Sequence, residues 1–149
     1  MCIIVVFAIL LQGDTILLVK NRDDKEIERW TLPGGKVEEG ETLFDALHLE
    51  VFEETAIQVT QPKVAYVHEA FFSNVKAHVR ATIFQAQIKE KHSLELPIQD
   101  PAKRIIAKQW VPTADLSKYI KNKGILSPLQ DWLQHFQTSN YLVSKNLNW

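Results

Sequence analysis

The apolar positions fall into blocks of different period. Cys2 to Gln12 is almost continuously apolar and β-branched, the pattern of a buried strand. Gln12-Gly13-Asp14 is a turn signal, and Thr15 to Lys20 reads as the returning strand. Residues 21–29 form a charged loop before a short strand, Trp30-Thr31-Leu32, which Pro33-Gly34-Gly35 is expected to end. The period then changes to helical from Thr42 to about Thr55. Thr42 and Asp45 have the spacing of a capping box, and Phe44, Leu47 and Val51 are expected to face a sheet.

Gln61-Pro62 reads as a break. Lys63–Phe72 and Lys76–Ile88 read as a hairpin turning near Ser73-Asn74. A polar loop spans 89–104, a last strand runs over Ala107–Val111, and a helical turn follows over Thr113–Tyr119. Ser127-Pro128 has the form of a helix start, with Leu129, Trp132, Leu133 and Phe136 docking on the sheet. Residues 138–149 read as a polar tail. Strands and helices interleave without βαβ regularity, which predicts an α/β or α+β sandwich with a mixed sheet flanked by helices.

A chain of 149 residues, 46% hydrophobic and 23% charged, suits one domain, 1–149. The net charge of −1 gives no global attraction to a nucleic acid polymer or an anionic membrane. Ile3–Leu11 reads as a strand rather than a signal segment, because no basic residue precedes it and no small-residue cleavage site follows. Cys2 is the only cysteine, which excludes an intrachain disulfide and fits a reducing, cytoplasmic setting.

The acidic residues are clustered, and that changes the picture. Glu50, Glu53 and Glu54 lie at i, i+3 and i+4, within about a quarter turn of one helix. Taken alone, such a stripe reads most simply as a solvated face. Behind the glycine pair Gly34-Gly35 it becomes a candidate site for a hard divalent cation, Mg²⁺ or Mn²⁺, which prefers oxygen ligands.

The stretch from Gly35 resembles the Nudix box of the Nudix (MutT-like) hydrolases: Gly35, Glu41 after five residues, then Glu50, Val51, Glu53, Glu54 and Ile57 at the family spacing. It departs at Leu49, where the box has arginine, and at Ala56, where it has glycine. The lead-in Trp30–Glu38 and the closing Trp110-Val111-Pro112 are similar as well. The resemblance implies an α/β/α sandwich and Mg²⁺- or Mn²⁺-dependent hydrolysis of a nucleoside diphosphate linked to another group. It implies metal binding and catalysis by Glu50, Glu53 and Glu54, with Glu50 the candidate base and the Gly35 carbonyl a further ligand. Glu41 would pair with the box arginine as an orienting residue, which Leu49 cannot satisfy.

Arg22, Arg29, Gly34 and Lys36 flank the loop as candidate phosphate contacts, with Lys20 beside them. A further acidic ligand is sought among Glu69, Glu90, Glu95 and Asp100, each read more simply as surface. Trp30, Phe71 and Phe72 are candidate stacking residues, though core packing explains them more simply, and Arg80 is a candidate pocket residue. The absence of proline or tyrosine markers near Phe71-Phe72-Ser73 argues against an ADP-ribose or dinucleoside-polyphosphate specialist. The expected partner is a small nucleotide, and the resemblance makes a homodimer plausible. The alternative is a catalytically weak or inactive domain that binds a nucleotide or protein partner as a sensor, motivated by Leu49 and the basic residues Lys103, Arg104 and Lys108.

Overall fold

The computed structural model describes residues 2–90, 97–98, 100–136 and 141–148. Glu95 and Trp149 lie outside them. The elements are β1 (Cys2–Ile9), β2 (Leu11–Gln12), β3 (Thr15–Arg22), β4 (Glu28–Thr31), β5 (Gly34–Lys36), α1 (Leu43–Thr55), β6 (Val59–Phe72), β7 (Ala77–Ile88), β8 (Ile105–Pro112), α2 (Leu116–Tyr119), α3 (Lys123–His135) and β9 (Tyr141–Leu147), with a 3₁₀ turn over Thr113–Asp115.

One sheet has the order β5-β1-β7-β6-β9, and the other joins β2, β4 and β8 to β3. The first is mixed: β1 pairs antiparallel with β5 and parallel with β7, and β6 pairs parallel with β9. Strand alternation then divides the core in two. Val6, Ala8 and Leu10 join Leu47 and Val51 of α1, while Ile9, Ile83 and Tyr66 join Leu116, Leu129 and Trp132 of α2 and α3. The result is the expected α/β/α sandwich. Among the described residues no helix is long and apolar enough to cross a membrane.

α1 starts as its sequence predicts: the Asp45 N–H donates to Thr42 Oγ1 at 3.0 Å and the Thr42 N–H donates to Asp45 Oδ2 at 3.1 Å. Its far end differs. Ala56 is the residue after the last turn, in the left-handed region at φ 63°, with its N–H on the Phe52 carbonyl. Glycine occupies such a position without a Cβ penalty, so alanine strains the backbone here instead of extending the helix. Leu47 and Val51 are buried as expected, but Phe44 is exposed and meets His48 edge-on.

Five other expectations change. Pro33-Gly34-Gly35 does not simply end a strand, because Gly34–Lys36 forms β5. Gln61-Pro62 is not a break. The register jumps between Thr60 and Lys63, so the pair sits in a β-bulge, where a missing N–H costs little. α3 starts at Lys123 with Asn122 as cap and carries Pro128 inside; Ile125 and Leu126 pack on the core and draw the helix start upstream. Within α3 and its cap, Leu129 and Trp132 are buried, whereas Phe136 is 56% exposed. Residues 141–147 are an edge strand rather than tail.

Candidate active site

β5 and α1 meet through the glycine pair. A Cβ on Gly34 would overlap the Val6 carbonyl oxygen, and one on Gly35 would lie 2.5 Å from Glu50 Oε2. Two glycines therefore let β5 pair with β1 on one side and receive the Glu50 carboxyl on the other. The Gly34 N–H donates to Glu54 Oε1 at 2.8 Å. Glu54, at 8% exposure, is one of the few charged residues in the interior.

These carboxyls are not in an ordinary electrostatic setting. Burial, followed by the charges of Glu53 and Asp100, pushes Glu50 up to about 7. Burial pushes Glu54 up to about 8, against the opposing pull of the Gly34 N–H and with Glu50 and Asp100 adding to the rise. Glu53 is raised by burial, then by Asp100 and Glu41. The neighbours that act on them are carboxylates, so two of the three hold protons tightly unless positive charge arrives.

Asp100 belongs to this group. Its carboxylate accepts the N–H groups of Ala102, Arg104 and Ile105 at 3.3, 2.6 and 2.9 Å, which fixes a negative charge within electrostatic reach of all three glutamates. Its sequence neighbours Lys103 and Arg104 obscure this, since only the folding of its own loop brings Asp100 to the helix.

A cavity of about 500 Å³ lies on the opposite face of the same sheet. It is walled by alternate residues of β1, β6 and β7, among them Val5, Phe72 and Val79, with Lys36, His68 and Asn122 among its few polar side chains. Alternation along β5 puts Gly35 against Glu50 and Lys36 on the cavity, so this strand separates the carboxyls from the cavity. Its size is that of a small-molecule site. The apolar face was legible in the sequence as core; the unfilled space over it was not.

The family model for the NUDIX domain matches residues 3–133. The chain belongs to the NUDIX family. A search of curated proteins finds no match. Among solved structures, a NUDIX hydrolase from Nitrosomonas europaea superposes with a TM-score of 0.78 at 18% identity, covering 90% of each chain. A MutT NUDIX hydrolase from Burkholderia pseudomallei gives 0.70 at 25% identity over 80% of this chain and 90% of its own. An ADP-ribose pyrophosphatase from Streptococcus suis gives 0.61 at 17% identity over 95% and 98%. The chain is thus a MutT-like NUDIX pyrophosphohydrolase by family.

NUDIX hydrolases generally use divalent metals. Among the described residues no three acidic, histidine or cysteine side chains are grouped to hold an ion as they stand. The donor chemistry nevertheless fits: Glu50, Glu53, Glu54 and the backbone beside the bare Gly35 supply only hard oxygen atoms.

The remaining candidates of this NUDIX domain are spread more widely. Glu41 Oε1 accepts the Glu38 N–H at 2.8 Å, and its charge reaches Glu50 and Glu53. Leu49 is 46% exposed on α1. Arg22, at the end of β3, faces Glu28 of β4 at 3.6 Å, and Arg29 of β4 faces Asp23 at 3.0 Å, so these residues belong to a β3–β4 hairpin rather than to a loop over 21–29; the hairpin meets the Asp100 loop where the Arg22 N–H donates to the Arg104 carbonyl. Lys20 pairs with Glu28 at 3.2 Å and lies over Trp30, which packs edge-on against Tyr119.

Lys108 Nζ donates to the Thr55 carbonyl at 2.6 Å, and Arg104 lies 3.5 Å from Asp24, so the basic residues near β8 serve separate contacts. Glu69 is engaged by Arg80, His78 and the Tyr141 hydroxyl, and Arg80 stands on the face opposite the cavity, not toward it. Phe72 lines the cavity, whereas Phe71 stacks on His78. Glu90 is exposed beyond the end of β7.

Proposed function

We propose that this NUDIX domain hydrolyses a pyrophosphate bond in a nucleoside triphosphate or related nucleoside diphosphate derivative, with Mg²⁺ or Mn²⁺ held by Glu50, Glu53, Glu54 and the Gly35 carbonyl. The observation that carries this reading is the pair Glu50 and Glu54, pushed up to about 7 and 8 while packed against β5. Carboxyls gathered and desolvated in this way are ionised only at a cost that a divalent cation would offset, and the cation would in turn attract the phosphate oxygens of a nucleotide.

A divalent cation bound there supplies charge neutralisation for the phosphate oxygens and acidifies a water. The chain's own residues do the rest. Gly34 and Gly35 let the backbone come close to the phosphates. Arg22 and Arg29, in the hairpin that adjoins the Asp100 loop, can exchange Glu28 and Asp23 for phosphate oxygens. The attacking water gives its proton to Glu50, its oxygen bonds to phosphorus, and the bridging P–O bond breaks to release a nucleoside monophosphate and the remaining phosphate group. Asp100 and Glu41 keep negative charge beside Glu50 and so raise its proton affinity.

The test is a nucleotide panel with Mg²⁺ or Mn²⁺, comparing wild type with Glu53→Gln and Glu54→Gln. Metal-dependent release of phosphate or pyrophosphate should fall by about 100-fold or more in each variant. Tight nucleotide binding with no metal-dependent release in the wild type would overturn the enzyme reading and favour the sensor.

A further inference from the structure

The last turn of α1, Phe52–Thr55, carries two of the three clustered carboxyls, and its own sequence holds it weakly. It has no basic residue to oppose the negative end of the helix dipole, where Glu53 and Glu54 are themselves unfavourable. Ala56, which follows, sits in the left-handed region without the freedom of glycine. Both features favour fraying at this end of the helix.

Local hydrogen bonds oppose it in part. Thr55 Oγ1 donates to the Val51 carbonyl at 2.6 Å and accepts the Ile57 N–H at 3.1 Å, and the Ala56 N–H donates to the Phe52 carbonyl at 2.7 Å. The Thr55 carbonyl has no such local solution. It is one of the last four of the helix, which lack an intrahelical donor. Thr55 is fully buried, so its carbonyl needs a donor from another element.

That donor comes from the second sheet. Lys108, half-buried on β8, places Nζ 2.6 Å from the Thr55 oxygen. β8 pairs with β3, with Lys108 opposite Val19 and Trp110 opposite Leu17. Alternation puts Lys108 and Trp110 on one face, and Trp110 packs on the cluster that holds Leu47 and Val51 of α1. The lysine therefore extends from a strand already seated against the helix. Its ammonium supplies the positive charge that the last turn lacks. Next to it, the Gly34 N–H of β5 holds Glu54 Oε1. Two consecutive residues are thus tied to different sheets, Glu54 by its side chain and Thr55 by its carbonyl.

We propose that Lys108 is a positioning residue: by holding the Thr55 carbonyl it fixes the last turn of α1, and with it Glu53 and Glu54, in the geometry that binds the divalent cation. It acts through the helix and not on the substrate. This rests on the reading that Glu53 and Glu54 are metal ligands.

The test compares wild type with Lys108→Met, which keeps an aliphatic stem of similar length and removes both donor and charge. In the metal-free protein, hydrogen exchange at the amides of residues 55–57 should speed up about 10-fold or more, while residues 46–50 stay within about 3-fold. Mn²⁺ affinity, titrated by electron paramagnetic resonance without nucleotide, should fall about 10-fold. With nucleotide and Mg²⁺, kcat should fall about 10-fold while KM stays within about 3-fold. Should Lys108→Met fail to fold, Lys108→Gln keeps a neutral donor on a shorter stem and should show the same changes at about 3-fold. A folded variant with wild-type exchange at 55–57, or with wild-type Mn²⁺ affinity and kcat, overturns the proposal; a lysine that only adds stability would lower the melting temperature and leave ion affinity and kcat alone. A wild type that binds no Mn²⁺ or hydrolyses no nucleotide counts against the metal or catalytic reading instead, and exchange at 55–57 still decides whether Lys108 holds the turn.

Discussion

At the residue scale, the site is governed by protons held where charge is expensive. Glu50 and Glu54 bind their protons more tightly folded than unfolded, so their contribution to stability is fully present below about 4.5 and is lost as pH rises through about 7 and about 8. Without divalent cations the melting temperature should therefore fall by about 5 °C or more between pH 5.5 and 8.5. Glu54→Gln keeps an acceptor for the Gly34 N–H but removes one titration, so its melting curve should depend less on pH. Added Mg²⁺ should raise the wild-type melting temperature more at pH 8.5 than at 5.5. Thermal melts across pH, with and without the ion, check all three outcomes; a flat wild-type profile would show that the carboxyls are not strained.

Leu49 belongs to the same scale. It stands one turn before Glu53 on α1, and Glu41, whose charge reaches Glu50 and Glu53, has one oxygen on the Glu38 N–H. Leu49→Arg should place a guanidinium among these carboxyls and lower their proton affinity. The acid limb of the pH–rate profile should move to lower pH, and kcat/KM at pH 7 should rise about 3-fold or more. An unmoved limb would mean that the position no longer communicates with the carboxyls.

At the element scale, most of α1 was legible because what defines it is local: the Thr42–Asp45 cap, the Leu47 and Val51 stripe and the glutamate spacing; Phe44, expected on that stripe, is exposed. Elements set by partners distant in sequence were not. β5 is three residues with two glycines and has no strand signature; it exists because β1 pairs with it. Ser127-Pro128 looks like a helix start, yet packing of Ile125 and Leu126 carries α3 upstream. Ala56 is the mixed case, since the family pattern marks the position but only the backbone shows why glycine suits it. Ala56→Gly should relieve left-handed strain of about 1 kcal/mol, less what the buried methyl contributes, and raise the melting temperature by about 1–3 °C with hydrolysis unchanged. A lower melting temperature would mean that methyl packing outweighs the strain.

At the scale of the whole molecule, one sheet separates the carboxyl cluster from the cavity. The carboxyls lie on the α1 side of β5 and the cavity on the other, so the two are supported by different packing. The sequence displayed the carboxyl cluster, because box residues stand close together along the chain, but not the cavity, whose walls come from β1, β6, β7, α3 and β9. β9 is the extreme example: Tyr141–Leu147 is polar enough to resemble a tail, yet Tyr141 meets Glu69, Ser144 meets His68, and the Leu147 carbonyl accepts the Ser73 N–H. Deleting residues 141–149 should therefore lower the melting temperature by about 5 °C or more, since an edge strand and part of a cavity wall are lost. The fall in stability from pH 5.5 to 8.5, which Glu50 and Glu54 set from the far side of the sheet, should persist in size. Melting curves across pH on the truncated protein measure both; loss of the pH dependence would show that the two faces act as one unit.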